Sequence, residues 1–329
     1  MILPLPEFHL AQPRDVHTAV AARRDHASSR FLAGGTDLVV NLRRGLGKPE
    51  LLIDLCGIDE LNGVTANEKG VRIGACATLT VLAATPAIRE HYRAAAEAAS
   101  AIAGPGTRAL ATVGGNLCLD TRCIYFNQSE WWRKSNGYCL KHKGNVCHVA
   151  PQGEHCHATF SGDLAPALMV LGAEVELAGV GGRRRIPLAD LYVEDGRAHL
   201  ALAADELLVA VHLPPDPPPS AYAKVRVRGA IDFPLAGAAV ALACAGGRVK
   251  TLHVGLTGTN SRPFLLDGTD ALIGHAFDEA ALQSLEKLVR KQAQPMRTTT
   301  ASAHYRRLAA AALVRRLTAT LFAQSKAGS

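Results

Sequence analysis

Four cysteines of this 329-residue chain lie within one segment of 34 residues, at Cys123, Cys139, Cys147 and Cys156. The segment is rich in Trp, Tyr, His and Asn, whereas its flanks are rich in Ala, Val, Leu and Gly. Thiolates that converge are the ligands of zinc and of iron–sulfur clusters. The residue types therefore predict a metal or iron–sulfur site within an inserted segment.

The spacing of these cysteines does not identify the metal. The chain has no CxxC pair there, so the spacings of zinc fingers and bacterial ferredoxins do not apply. Unligated thiols in a polar insert would be exposed to oxidation, which favours a bound metal. Zinc stays open, because four nearby histidines could ligate it: His142, His148, His155 and His157. The other thiols lie in or beside apolar segments and are predicted to be core residues: Cys56, Cys76, Cys118 and Cys244.

Two short glycine loops could bind phosphate. The first is Leu32-Ala33-Gly34-Gly35-Thr36-Asp37-Leu38, between a predicted strand and a predicted helix. Its N–H groups and the Thr36 hydroxyl could bind a pyrophosphate, but a tight turn capped by Asp37 explains the residues equally well. The second is Thr112-Val113-Gly114-Gly115-Asn116-Leu117. Two such loops indicate two walls around one extended, phosphate-bearing cofactor.

Asp163, within Ser161-Gly162-Asp163-Leu164-Ala165-Pro166, could accept a hydrogen bond from a ribose or ribityl hydroxyl. A helix N-cap is the simpler explanation of an aspartate at that position.

The composition argues against several classes of protein. A hydrophobic content of 48% argues against a disordered chain. No apolar run approaches the about 20 residues of a membrane span, which argues against a membrane-spanning helix. The first residues lack the features of a signal peptide, so we expect a cytoplasmic protein, where disulfides are disfavoured. The net charge of +7 is scattered, which argues against nucleic acid. Basic residues are expected on a solvated or partner-facing helix face, at Arg306, Arg307, Arg315 and Arg316, and on a hairpin edge, at Arg183, Arg184 and Arg185.

The elements that must position these residues follow from the hydrophobic pattern. Strands are predicted at Glu7–Leu10, Arg30–Ala33 and Leu51–Leu55, and helices at Pro13–Asp25 and Leu38–Arg44, which together make a βαβαβ unit. Further strands are predicted at Val71–Ala75, Ala173–Leu177 and Leu207–Leu213, and further helices at Thr78–Ala84, Pro86–Ser100 and Asp163–Leu171.

The run Pro214-Pro215-Asp216-Pro217-Pro218-Pro219 predicts a stiff linker at a domain boundary. Strands are predicted beyond it at Tyr222–Val227, Ala236–Ala243 and Val249–Leu256, with a last helix from about Thr300 to Phe322. The fold class expected from these patterns is α+β.

The motifs LAGGTDL, TVGGNL, SGDLAP and Tyr222-Ala223-Lys224-Val225-Arg226-Val227-Arg228 follow one another in this order. In that order the chain resembles, over nearly its whole length, the flavin subunit of the molybdenum hydroxylases, the group of xanthine dehydrogenase and carbon monoxide dehydrogenase. Only a short stretch separates the second and third motifs in ordinary members, whereas Asn116 and Asp163 are 47 positions apart here. The excess is the cysteine segment. It is similar to the insert of 4-hydroxybenzoyl-CoA reductase β subunits, which carries a [4Fe-4S] cluster.

The resemblance implies a two-part FAD-binding domain of the vanillyl-alcohol-oxidase type, with subdomains at residues 1–58 and 59–215. An iron–sulfur insert would lie at about 120–160, and a C-terminal α/β domain, a three-stranded sheet with helices, at 220–329. Leu32 to Leu38 would wrap the FAD pyrophosphate. Further FAD contacts would come from Thr112, Gly115, Asn116, Asp163, Leu208 and Lys224. Cys123, Cys139, Cys147 and Cys156 would each bind one iron.

The resemblance also implies a role in electron entry. Electrons from a reduced ferredoxin would pass through the cluster and FAD to partner subunits that carry two [2Fe-2S] clusters and the molybdenum cofactor, where the phenolic hydroxyl of 4-hydroxybenzoyl-CoA is removed. The complex would be a dimer of heterotrimers, and no catalytic residue for the substrate is assigned to this chain. Two alternatives remain at this point: the flavin subunit of another molybdenum hydroxylase, and a non-catalytic scaffold with structural zinc.

Overall fold

The computed structural model describes residues 4–327, and its first elements form the predicted βαβαβ unit. They are β1 (His9–Ala11), α1 (Val16–Asp25), β2 (Ser29–Leu32), α2 (Leu38–Arg43) and β3 (Leu51–Asp54). The three strands are parallel and lie in the order β1-β3-β2. Asp15 begins α1, because its carboxylate accepts a hydrogen bond of 2.7 Å from the N–H of Thr18. The first glycine loop joins β2 to α2 and so leaves the carboxyl end of a strand, as the sequence predicts.

The second unit is a five-stranded antiparallel sheet in the order β4-β5-β8-β6-β7. Its strands are β4 (Val64–Asn67), β5 (Gly70–Gly74), β6 (Glu174–Gly179), β7 (Gly182–Pro187) and β8 (Leu207–Leu213). Between β5 and β6 lie α3 (Leu79–Ala84), α4 (Pro86–His91), α5 (Arg93–Ala101), α6 (Pro105–Arg108), α7 (Val113–Leu117), α8 (Glu130–Ser135) and α9 (Leu164–Met169). Short 3-10 turns occur at Asp59–Leu61 and Leu188–Leu191. The three consecutive arginines lie on β7, an edge strand, which confirms the predicted hairpin edge.

The prediction of one continuous helix over Pro86–Ser100 was wrong. Tyr92 separates α4 from α5, with φ −118° and ψ 53°, outside the helical region. Its side chain is buried and its hydroxyl donates to the carbonyl of Pro214 at 2.7 Å. This contact joins the helical layer to the start of the proline-rich linker.

The C-terminal unit contains β9 (Ser220–Val225), β10 (Ala236–Ala245), β11 (Arg248–Thr257), β12 (Phe264–Leu265), α10 (Glu279–Gln292) and α11 (Ala303–Ala327), with a 3-10 turn at Thr269–Leu272. The sheet has four strands, in the order β12-β11-β10-β9, where three were predicted. Because β12 is only two residues long, the alternation of its side chains could not reveal it. Helix α11 packs on β10 and β9, α10 packs against α11, and Leu285 and Val314 are buried in the core that these elements share.

Arg306 corrects the prediction of a solvated basic face on the last helix. Its side chain is buried and donates to the backbone carbonyls of Leu235, Met296 and Gly258. Arg315, by contrast, forms a half-exposed ion pair with Glu279 on α10. No helix within residues 4–327 is long and apolar enough to cross a membrane.

Candidate functional site

A cleft of about 1220 Å³ opens between the βαβαβ unit and the antiparallel sheet. Both glycine loops line it, together with Ser161, Asp163 and the β8 residue Leu208. The cleft is large enough for an extended ligand, and basic side chains line much of it. They are Arg23, Arg30, Arg44, Lys48, Arg122, Lys141 and Arg197. Five carboxylates line it as well, so the seven Arg and Lys side chains exceed the acidic ones by two.

The first glycine loop presents its backbone to this cleft. A Cβ added to Gly34 would lie 1.8 Å from the carbonyl oxygen of Leu110, so only glycine fits the close approach to the second wall. Gly35 has φ +68°, a conformation that residues with side chains rarely adopt. In the described part of the chain, the N–H groups of Gly34, Gly35 and Thr36 have no recorded hydrogen-bond partner. These donors suit a pyrophosphate.

The second glycine loop is built differently. Its N–H groups are already bonded: Val113 donates to the carbonyl of Ala77 at 2.9 Å, and Gly114 to that of Ala75 at 2.8 Å. The N–H of Gly115 donates to the Thr112 hydroxyl at 3.1 Å, which caps α7. The loop therefore lines the cleft as a rigid wall whose N–H donors are used within the protein.

Asn116 and Asp163 come together at the start of α9 despite the 47 positions between them. The side-chain oxygen of Asn116 accepts from the N–H of Leu164 at 3.1 Å. Asp163 occupies the N-cap position, but its carboxylate makes no capping hydrogen bond. The cap is thus supplied by Asn116, which leaves the carboxylate of Asp163 to other partners.

Those partners lie on β9. The Asp163 carboxylate accepts from the Tyr222 hydroxyl and forms an ion pair of 3.0 Å with Lys224, and all three side chains are buried. Burial raises the pKa of Asp163, while the Lys224 ammonium opposes that shift. Lys224 lies behind Asp163 and not on the surface of the cleft, and Leu32 likewise lies behind the first glycine loop. The other eleven residues predicted to contact the cofactor line the cleft: Ala33, Gly34, Gly35, Thr36, Asp37, Leu38, Thr112, Gly115, Asn116, Asp163 and Leu208.

Two cleft residues that the sequence did not single out are Arg122 and His199. Arg122 donates to the carboxylate of Asp37 and to the Asn41 side chain, and burial lowers its pKa to about 10. His199 is 6% exposed, its Nε2 has no partner among residues 4–327, and burial lowers its pKa to about 4. A basic residue directly before Cys123 was the available sequence signal for Arg122, whereas nothing local marks His199.

The four cysteines of the insert line one small cavity beside the cleft. Cys147 and Cys156 are buried, Cys123 and Cys139 are partly buried, and none forms a disulfide. Burial raises the pKa of Cys156 to about 12. His148 also lines this cavity, but its Nε2 lies 2.5 Å from the carbonyl of Tyr138. The segment thus brings together the four thiols that the sequence singled out.

The arrangement can be compared with what a metal centre needs. A single zinc ion holds its ligands around one point, and within residues 4–327 no three Cys, His, Asp or Glu side chains are so placed. A four-iron cluster bonds each thiolate to a different iron, so its ligands surround a cavity. The four cysteines line one such cavity, and its volume of about 10 Å³ means that the thiols would have to move apart to admit a cluster.

Aromatic side chains shield part of the cysteine cavity from solvent. Tyr125 and Phe126 line it, and Trp132 packs against Tyr125 with ring centroids 6.3 Å apart. Trp131, in contrast, is 76% exposed and does not line the cavity. Phe126 and Lys141 line both the cysteine cavity and the large cleft, so one layer of side chains separates the two.

The cysteines outside the insert divide into two groups. Cys76 is buried and lines the cleft with the partly buried Cys118, and burial raises the pKa of both thiols to about 12. Cys244 is partly buried, whereas Cys56 is exposed, so the prediction that Cys56 is a core residue was wrong. The reason is that Cys56 follows the end of β3, where the chain leaves the sheet.

Residues 6–216 match the family described as "FAD binding domain in molybdopterin dehydrogenase", and residues 220–321 match the "CO dehydrogenase flavoprotein C-terminal domain". The chain is 36% identical over 256 residues to the aldehyde oxidoreductase FAD-binding subunit PaoB of Escherichia coli, covering 74% of this chain and 78% of that protein. It is 28% identical to the carbon monoxide dehydrogenase medium chain of Afipia carboxidovorans, covering 97% and 98%. A structure of reconstituted CO dehydrogenase from Oligotropha carboxidovorans superposes with a TM-score of 0.80 at 26% identity, over 98% of this chain and 99% of that one.

Proposed function

Because the chain belongs to the FAD-binding subunits of the molybdenum hydroxylases, an oxidoreductase family, we propose that it is the electron-entry subunit of a 4-hydroxybenzoyl-CoA reductase. In this proposal Cys123, Cys139, Cys147 and Cys156 hold a [4Fe-4S] cluster beside the FAD. The observation that carries it is the convergence of these four thiols on one cavity next to the cofactor cleft.

The residues of the cleft have distinct roles toward FAD. The free N–H groups of Gly34, Gly35 and Thr36 would receive the pyrophosphate, and the second glycine loop would support the opposite side. Asp163 would accept a ribityl hydroxyl with an oxygen lone pair that its buried partners leave available. Leu208 would lie against the flavin, and Lys224 would act through Asp163.

The residues of the cysteine segment would hold the cluster and exclude water from it. Four thiolates complete the coordination of a cubane, which leaves no iron for substrate chemistry, and a cluster with only thiolate ligands can operate at low potential. Tyr125 and Phe126 limit solvent access to the cavity. The chain offers no acid, base or nucleophile that we assign to the substrate.

The partners follow from the same proposal. Ferredoxin would deliver electrons to the cluster, and a [2Fe-2S] subunit would pass them from FAD to a molybdenum subunit, in a cytoplasmic dimer of heterotrimers. Within this chain the FAD-binding subdomains would be residues 1–58 and 59–215, with the cluster insert at about 120–160 and the C-terminal domain at 220–329.

The test is Cys139→Ser, made and purified under anoxic conditions. We expect the variant to lose iron and acid-labile sulfide, and the low-temperature electron paramagnetic resonance signal of the reduced cluster, while it still binds FAD at saturating concentration. Reduction of the flavin by ferredoxin should be lost, whereas an artificial donor that reduces the flavin directly should still support turnover by the complex. Zinc without acid-labile sulfide in the wild-type protein would refute the cluster and the electron-entry role together.

A second candidate is the flavin subunit of a different molybdenum hydroxylase. It is favoured by the relatives in hand, an aldehyde oxidoreductase subunit and a carbon monoxide dehydrogenase chain. Assays of the co-expressed subunits separate the two candidates. Reduction of 4-hydroxybenzoyl-CoA to benzoyl-CoA supports the first, and oxidation of an aldehyde or CO without that reaction supports the second.

A further inference from the structure

Two arginines of the insert at about 120–160 form hydrogen bonds at the two ends of helix α2. This helix directly follows the first glycine loop. At the N-terminal end, Arg122 donates to the Asp37 carboxylate and, at 3.2 Å, to the Asn41 side-chain oxygen. At the C-terminal end, the buried guanidinium of Arg133 donates to the carbonyl of Gly45 at 3.2 Å. Residues of the insert therefore hold the helix that follows the first glycine loop in place.

Arg122 lines the cleft and directly precedes the first cysteine of the cavity in the chain. Its side chain is 17% exposed, lines the cofactor cleft and lies over the Phe233 ring, with the guanidinium carbon 5.2 Å from the centroid. Its backbone pairs with Thr159 through two hydrogen bonds of 2.7 Å, which closes the base of the insert. The next residue is Cys123, the first thiol of the cavity. Arg122 thus places its side chain in the wall of the cleft while its backbone holds the residue that precedes that thiol.

The charge of Arg122 also resolves a conflict in the cleft. Asp37 places a carboxylate in the loop whose free N–H groups suit an anion. The negative charge of that carboxylate would repel the negative charge of a bound phosphate. The guanidinium neutralises Asp37, and only two of its five N–H donors are needed for Asp37 and Asn41. The remaining donors suit a phosphate oxygen.

We propose that Arg122 couples the two sites: it binds the diphosphate of the cleft ligand and positions Cys123, so that filling either site favours filling the other. For the thiol side, the proposal rests on the proposed function. By linkage, loss of the group held by the cysteines must then weaken FAD binding by the same factor as loss of FAD weakens retention of that group.

The test is a double-mutant cycle on the full-length chain, with the dissociation constant of FAD measured by fluorescence quenching under anoxic conditions. The four proteins are wild type, Cys139→Ser, Arg122→Gln and the double variant. We expect Arg122→Gln to weaken FAD binding by about tenfold or more, because a charge-assisted hydrogen bond is lost. We expect Cys139→Ser to weaken it at least about fivefold in the presence of Arg122 and by no further factor in its absence.

Two controls separate coupling from misfolding. Arg122→Lys keeps the charge and should recover part of the affinity, and Arg315→Gln, on the far α10–α11 surface, should change nothing. Limited proteolysis supplies a second readout: saturating FAD should protect residues 124–155 from cleavage in the wild type but not in Arg122→Gln.

Equal effects of Cys139→Ser with and without Arg122 would overturn the proposal, as would an unchanged FAD constant in Arg122→Gln. Failure of the proposed function looks different. In that case the wild type lacks iron and sulfide, while the cycle still reports whether the thiols and the cleft are coupled.

Discussion

Removing the Lys224 ammonium, which lies behind the Asp163 wall of the cleft, should strongly destabilise the chain. Lys224→Met leaves the Asp163 carboxylate in a buried site with Tyr222 as its remaining partner. At the observed 3.0 Å and an effective dielectric constant of about 20, the lost Coulomb attraction is about 5.5 kcal/mol. Breaking a buried pair from one side typically costs about 3–5 kcal/mol, so we expect a loss of that size in the free energy of unfolding at neutral pH.

The loss should depend on pH in a defined direction. Burial already raises the pKa of Asp163, and without Lys224 the folded-state pKa rises further above the unfolded value of about 3.9. Between these two pKa values the folded chain binds a proton that the unfolded chain does not, so stability falls as pH rises through that window. The deficit of the variant should therefore be small near pH 4 and grow to a plateau above the folded pKa.

The assay is urea denaturation of the flavin-free protein, followed by circular dichroism between pH 4.5 and 8 for wild type, Lys224→Met, Asp163→Asn and the double variant. Removing both charges should recover most of the stability that Lys224→Met loses, because no unpaired charge remains buried. A pH-independent deficit, or a double variant as unstable as Lys224→Met, would refute the reasoning.

Two further predictions concern the same cleft. Gly34→Ala should sharply reduce the FAD content of the purified protein, because the added Cβ would overlap the Leu110 carbonyl. Gly106→Ala is the control and should retain FAD, because the space around its added Cβ is open. Equal flavin content in the two variants would contradict this prediction. His199 should make the stability of the wild type sensitive to acid, because burial lowers its pKa to about 4 in the folded chain. In the unfolded chain the same imidazole binds a proton near pH 6.5. The free energy of unfolding should therefore fall by about 3 kcal/mol as the pH is lowered from 6.5 to 4. His199→Asn should remove that part of the slope of unfolding free energy against pH, and an unchanged slope would count against the assignment.

Local patterns in the sequence predicted most of the elements near the site. The strand at Leu207–Leu213 has the predicted bounds, and the βαβαβ order follows from hydrophobic runs separated by turn residues. The glycines were recognisable because close backbone approach and φ above zero both favour that residue, as Gly34 and Gly35 illustrate. The break at Tyr92 was not readable, because a buried hydrogen bond to Pro214 overrides the local helix propensity.

Sequence alone singled out the residues that we propose to carry the chemistry, because residue type and spacing limit the possible ligands: four thiols in one insert and two glycine loops. Tertiary structure decided which of them act together. Among residues 4–327, it left the N–H donors of the first loop without partners, whereas those of the second donate to the carbonyls of Ala75 and Ala77. It also set Lys224 behind Asp163 and paired Arg122 with Asn41 at the wall of the cleft. These pairings join residues that are 61 and 81 positions apart, so no local pattern encodes them.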